Sequence, residues 1–146
     1  MSNKASRLEP LADYAGLRES EAARRLAAST DQIKAKEAEL TQLRGYLAEY
    51  RQRAELDPTD STRWQNTRAF LSRLSDAVAH HEAELQKAIE RHRFDAERWR
   101  DSYQRSQALD KVIERSQREE LHALQRRDQA ELDEHAARYY SPARAR

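Results

Sequence analysis

The chain has 146 residues, 36% of them charged and 38% hydrophobic, with 27 Lys and Arg against 26 Asp and Glu. With no Cys, 2 Gly and 3 Pro, it lacks disulfide frameworks, thiolate metal sites and cysteine nucleophiles, and it lacks the turn residues that a β-rich or α/β fold needs. The near-balanced, interspersed charge also excludes a strong polyanion-attracting field, so no nucleic-acid partner is expected. No apolar run approaches the roughly 18 residues of a membrane span, so no transmembrane segment is expected. Met1-Ser-Asn-Lys-Ala-Ser-Arg7 has no apolar stretch after its charges and is not read as a secretory signal, which leaves a cytoplasmic location as the expectation.

Composition and pattern together predict an all-α chain, an antiparallel two-helix coiled-coil hairpin with a longer second helix, forming a single domain over 1–146. Ser6-Arg7-Leu8-Glu9 reads as a capping box with Pro10 in the first turn, so helix 1 is expected at about 9–56. It carries Leu26, Ile33, Leu40, Leu47 and Ala54 at seven-residue steps, with Leu43 and Tyr50 between them. The turn is expected at 57–61, where Pro58 keeps Asp57 out of the α region and Asp60 or Ser61 can cap the next helix. Helix 2 is expected at about 62–140, with Leu71, Val78 and Leu85 at heptad steps and Leu74, His81 and Ala88 between them. Ser141-Pro142 should end it, leaving a short tail at 141–146. At 1.5 Å per residue the arms would be roughly 70 and 120 Å long.

A register centred on Thr59 pairs Ala54 with Trp64, Leu47 with Leu71, Leu40 with Val78 and Ile33 with Leu85. Farther from the turn it pairs Leu26 with His92 and Glu19 with Trp99, so the seam becomes more polar. Helix 1 is used up near Leu8, opposite Leu109 or Asp110. Residues 111–140 are then expected to lack a partner in the chain, with Leu121, Leu124 and Leu132 as a thin apolar stripe.

Little in the chain could carry chemistry. Gly16 and Gly45 stand alone in helical context, so no loop could cradle a phosphate. His80, His81, His92, His122 and His135 include no pair at the i, i+4 spacing of metal-binding helices. Acid pairs such as Glu119-Glu120 and Asp133-Glu134 would have no pocket in which to be desolvated. No catalytic, cofactor-binding or metal-ligating residue is therefore expected, and an enzyme is rejected. Arg91-His-Arg93 and Arg98-Trp99-Arg100 with Phe94 form the densest basic stretch, but Asp95, Glu97 and Asp101 dilute it. A solvated face with one buried Trp is the better reading.

The informative feature is the width of the apolar stripe beside the turn. A two-stranded seam needs a narrow strip, yet both helices spread apolar residues over roughly 120° here. The surplus should form an exposed apolar-aromatic patch of Leu43, Tyr46, Tyr50, Phe70, Leu74, Ala77 and His81, and such patches mark partner sites.

Tyr46-x-x-Glu49-Tyr50-Arg51, Arg63-Trp64 and Phe70-x3-Leu74-x2-Ala77-x3-His81 resemble the FliJ family of the bacterial flagellar type III export apparatus. Arg98-Trp99-Arg100 and the stretch from Asp128 to Glu134, followed by Ala136 and Arg138, are also similar. The resemblance covers essentially the whole chain. It implies an antiparallel coiled coil similar to the central stalk of rotary ATP synthases, which enters and stimulates the export ATPase ring. It also implies binding to the membrane-embedded export gate protein FlhA, escort of export chaperones, peripheral association with the inner membrane, and no cofactor. The family's gate-binding surface falls on Leu43, Tyr46, Tyr50, Phe70, Leu74, Ala77 and His81, and its ATPase-facing end on the two termini. This chain departs from the family at Glu39, where the pattern has Gln. The alternatives are a plain coiled-coil spacer that dimerises through the same patch, or the stalk of a virulence-type secretion system.

Overall fold

The computed structural model describes residues 3–56 and 61–144, and every one of them is α-helical: α1 spans Asn3–Leu56 and α2 spans Ser61–Arg144. The two helices pack against each other, the second being the longer, and no strand occurs among the described residues. Of the expected turn at 57–61, centred on Thr59, only Ser61 is described, and it opens α2.

Both outer boundaries lie farther out than the sequence predicts. Helix α1 starts at Asn3 rather than near Glu9, so Ser6-Arg7-Leu8-Glu9 is not a cap and Pro10 sits inside the helix. Proline keeps a helical φ; its cost is the missing N–H, which leaves the Ser6 carbonyl without its donor. Ser6 and Pro10 are both exposed, which leaves that carbonyl on the solvent side of the helix where water can serve it. Helix α2 likewise runs through Pro142 to Arg144 instead of ending at Tyr140. There the carbonyl that loses its donor belongs to Arg138, on a fully exposed stretch.

Contacts divide the chain into two compact units. In the unit Ser20–Arg100, Leu40 (3% exposed), Leu47 and Val78 form the core, with Leu43, Leu71, Leu74 and Leu85 packed against it. The expected partners Leu47 and Leu71, and Leu40 and Val78, thus share one cluster. Other pairs confirm the antiparallel sense: Tyr50 meets Phe70, Glu39 approaches His81, and Arg44 bonds Glu82 at 2.9 Å. Their midpoints fall at positions 60, 60 and 63.

Farther along this unit the seam buries polar atoms. The Ser29 hydroxyl donates to the Asp95 carboxylate, both residues are buried, and Arg91 Nε lies 3.9 Å from the same carboxylate. Burying a carboxylate is costly, and here a hydroxyl donor and a nearby guanidinium offset the cost. Trp99, expected to be the buried aromatic of the basic stretch, is only half-buried. Phe94 is exposed, with the Arg98 guanidinium 5.4 Å from its ring centre.

The other unit, Met1–Glu19 with Asp101–Arg146, buries small residues: Ala5 (2% exposed) and Ser116. Leu11, Tyr14, Ser102, Arg105 and Leu109 line an open groove in it. The expectation that pairing stops at 111 is corrected. Ser116 is buried, Ile113 and Glu120 are half-buried, and only 121–140 are exposed throughout. The cause is the earlier start of α1, which supplies one and a half further turns of helix 1. Leu121, Leu124 and Leu132 do lie on the exposed stretch.

Candidate functional site

The seven patch residues come from two facing helix segments of the Ser20–Arg100 unit, 43–50 on α1 and 70–81 on α2. Heptad spacing aims Leu40, Leu47, Leu71 and Val78 at the seam, so residues three positions on must lie beside it. Leu43 and Leu74 are half-buried and pack against the Leu40, Leu47 and Val78 core, forming an apolar base. Ala77 and His81 are also half-buried.

On that base stand three aromatic rings open to solvent: Tyr46 at 45% exposure, Tyr50 at 37% and Phe70 at 43%. Tyr50 and Phe70 meet edge to face across the two helices, with ring centres 4.9 Å apart and planes at 70°. That geometry is a favourable quadrupole arrangement and holds both rings in place while leaving their outer surfaces free. The Tyr46 hydroxyl accepts from Gln42 Nε2 at 3.0 Å, one turn earlier on the same helix.

His81 closes the other side. Its Nδ1 is buried and makes no hydrogen bond; the nearest carboxylate oxygen, Glu39 Oε2 on α1, is 3.6 Å away. At that separation the contact is electrostatic only, and attractive only when the ring carries a proton. The His80 ring packs edge to face on His81 with centres 5.6 Å apart. Glu39 is the position where the resemblance leads to the expectation of Gln. A Gln could donate its amide to a neutral Nδ1, whereas a carboxylate cannot.

Two features escaped the sequence. Ala54 and Trp64, expected as a closed seam pair, instead stand as walls of an open recess together with Tyr50, Arg53, Arg63 and Thr67. Trp64 remains 51% exposed, because an alanine methyl is too small to cover an indole. The signal was present in that size mismatch at the last heptad pair before the turn. The other is the buried Ser29–Asp95 bond; single-helix periodicity treats both residues as polar and places neither in the core.

Among the described residues no cluster of His, Cys, Asp or Glu could hold a metal ion, and no helix is long and apolar enough to cross a membrane. An exposed aromatic cluster on a fixed apolar base offers contact area, so the arrangement suits binding.

Residues 3–145 match the family described as "Flagellar FliJ protein". The chain is 31% identical to the Flagellar FliJ protein of Salmonella typhi over 134 residues, covering 90% of this chain and 91% of that protein. The identity and coverage are the same for the Flagellar FliJ protein of Escherichia coli (strain K12). No solved structure matches the chain. With the family matching nearly end to end, and with two curated relatives aligned over nine-tenths of it, the chain belongs to the FliJ family of flagellar proteins.

Proposed function

We propose that this protein is a non-catalytic adaptor of flagellar protein export. Its helical hairpin enters the export ATPase ring at the end that carries the termini and stimulates the ATPase. The aromatic patch docks on the export gate protein FlhA, and the same chain escorts export chaperones. It works in the cytoplasm, peripherally attached to the inner-membrane export apparatus. The observation that carries the docking part is the trio Tyr46, Tyr50 and Phe70, large rings left open on an apolar base. Leaving such surface in water costs free energy that only a partner can recover.

A pull-down with the purified ATPase and the gate's soluble domain, together with ATPase rates, tests the reading. Tyr46→Ala with Phe70→Ala should lower gate capture by at least about tenfold, since exposed aromatic anchors dominate interface energies. Helicity at 222 nm and ATPase stimulation should not change. Undiminished capture by the double variant would remove the patch from the interface. A stable dimer in sedimentation that ignores both substitutions would favour the plain spacer instead.

A further inference from the structure

The Arg63-Trp64 motif has no role in the docking patch as drawn, yet the structure gives it a place. Trp64 and Arg63 from α2, with Tyr50, Arg53 and Ala54 from α1, wall a recess of about 190 Å³. Small-molecule pockets run from about 300 Å³ upward, so this space suits one large side chain rather than a metabolite. Trp, Tyr and Arg, the lining residues here, are the side chains that most often act as interface anchors.

Charge says what should lie beside that side chain. The chain as a whole is almost neutral, but positions 44–73 hold six arginines and no lysine against four acids. Arg44, Arg51, Arg53, Arg63, Arg68 and Arg73 are all exposed. The planar guanidinium grips a carboxylate through paired hydrogen bonds, which a lysine ammonium cannot do. Arg53 bonds Glu49 at 2.8 Å and lies 5.5 Å from the Tyr50 ring centre. An exposed pair at i, i+4 is worth little, so a partner's carboxylate can displace Glu49.

We propose that this recess is a socket of the docking face, taking one aromatic or branched aliphatic side chain from a partner segment whose flanking carboxylates reach Arg53 and Arg63. The inference rests on the docking reading above, because Tyr50 belongs to both surfaces.

The test uses the full chain, labelled with ¹⁵N, and the blocked peptide Gly-Glu-Trp-Glu-Gly as the probe. Trp64 and Trp99 are the two tryptophans of the chain, so each contributes one indole N–H signal and Trp99 serves as the internal control. The Trp64 signal should move with peptide concentration and the Trp99 signal should stay. Arg53→Glu should weaken the peptide about tenfold, the size of one lost charge-assisted contact. A peptide with lysines in place of the glutamates should move neither signal. No movement, equal movement of both indoles, or an equal response to the lysine peptide would overturn the socket. So would a Trp64 signal that shifts with protein concentration alone, since a second copy would then fill the recess. In the gate pull-down, Trp64→Ala should lower capture with helicity retained. Peptide binding without gate capture would defeat the gate reading and leave the socket standing; gate capture indifferent to Trp64→Ala would do the reverse.

Discussion

Near Leu40 and Val78 the two helices meet through leucine and valine, whereas at Ser29 and Asp95 they meet through a hydroxyl and a carboxylate. Both places are buried to a similar depth. The difference separates two tasks that a helical hairpin must perform. Each apolar side chain withdrawn from water near the turn contributes about 1.5–3 kcal/mol, and such contacts tolerate sliding because any leucine accepts another. The Ser29–Asp95 bond adds little net stability after desolvation is counted, but it exists in one register only. A slip of one heptad would set the carboxylate against Ala22 or Lys36 and part it from the serine hydroxyl. A single buried polar contact of this kind is a known way to fix register in coiled coils. Leucine holds the pair together, and serine with aspartate aligns it.

The largest expected effect strikes the apolar region. Leu40→Ala should cost about 2–4 kcal/mol in urea unfolding followed at 222 nm, because the residue is the most buried of its cluster and its neighbours cannot close the cavity fully. A loss as small as that of a surface substitution would end the claim that stability concentrates there. Next comes Ser29→Ala, expected to cost about 1–3 kcal/mol because the Asp95 carboxylate stays buried without its hydroxyl donor. Ser29→Ala with Asp95→Leu should recover most of that loss while broadening the cross-helix distance distribution measured between spin labels. A distribution that stays narrow in the double variant would deny the pair its aligning role.

The smallest effect belongs to the exposed charge pairs lying between these regions. Lys87, hydrogen-bonded to Glu84 at 3.3 Å, holds the Glu84 carboxyl below its ordinary value through that bond and its charge. The folded-state value is the lower one. The stabilisation is therefore present above the unfolded carboxyl's titration and is lost as pH falls through the folded one. Melting temperatures of the wild type and Glu84→Gln should differ slightly at neutral pH and converge in acid. A gap unchanged in acid would assign the difference to helix propensity instead.

Much of this was legible before any coordinates. The heptads through Leu40, Leu47, Leu71 and Val78 carried the hairpin sense and the core, because seven-residue spacing on both sides of one break admits few pairings. The stripe width pointed to more apolar arc than one seam can cover, and Tyr46, Tyr50 and Phe70 stand exposed there. Boundary signals misled, since Ser6, Pro10 and Pro142 are local punctuation. Their penalties are a single carbonyl each, and on a water-exposed helix that carbonyl is solvated. Missing those boundaries also misplaced the unpaired end of α2 by about ten residues.

The helices, their antiparallel pairing and the leucine core near the turn are all legible in the order of residues. These follow from periodicity, which is a property of single helices. Packing of the two helices sets which polar atoms share the interior, as with Ser29 and Asp95, which rings touch, as with Tyr50 and Phe70, and where a seam stays open, as between Ala54 and Trp64. Those outcomes depend on the sizes and donors that two particular helices bring to one place, and no repeat within either helix records them.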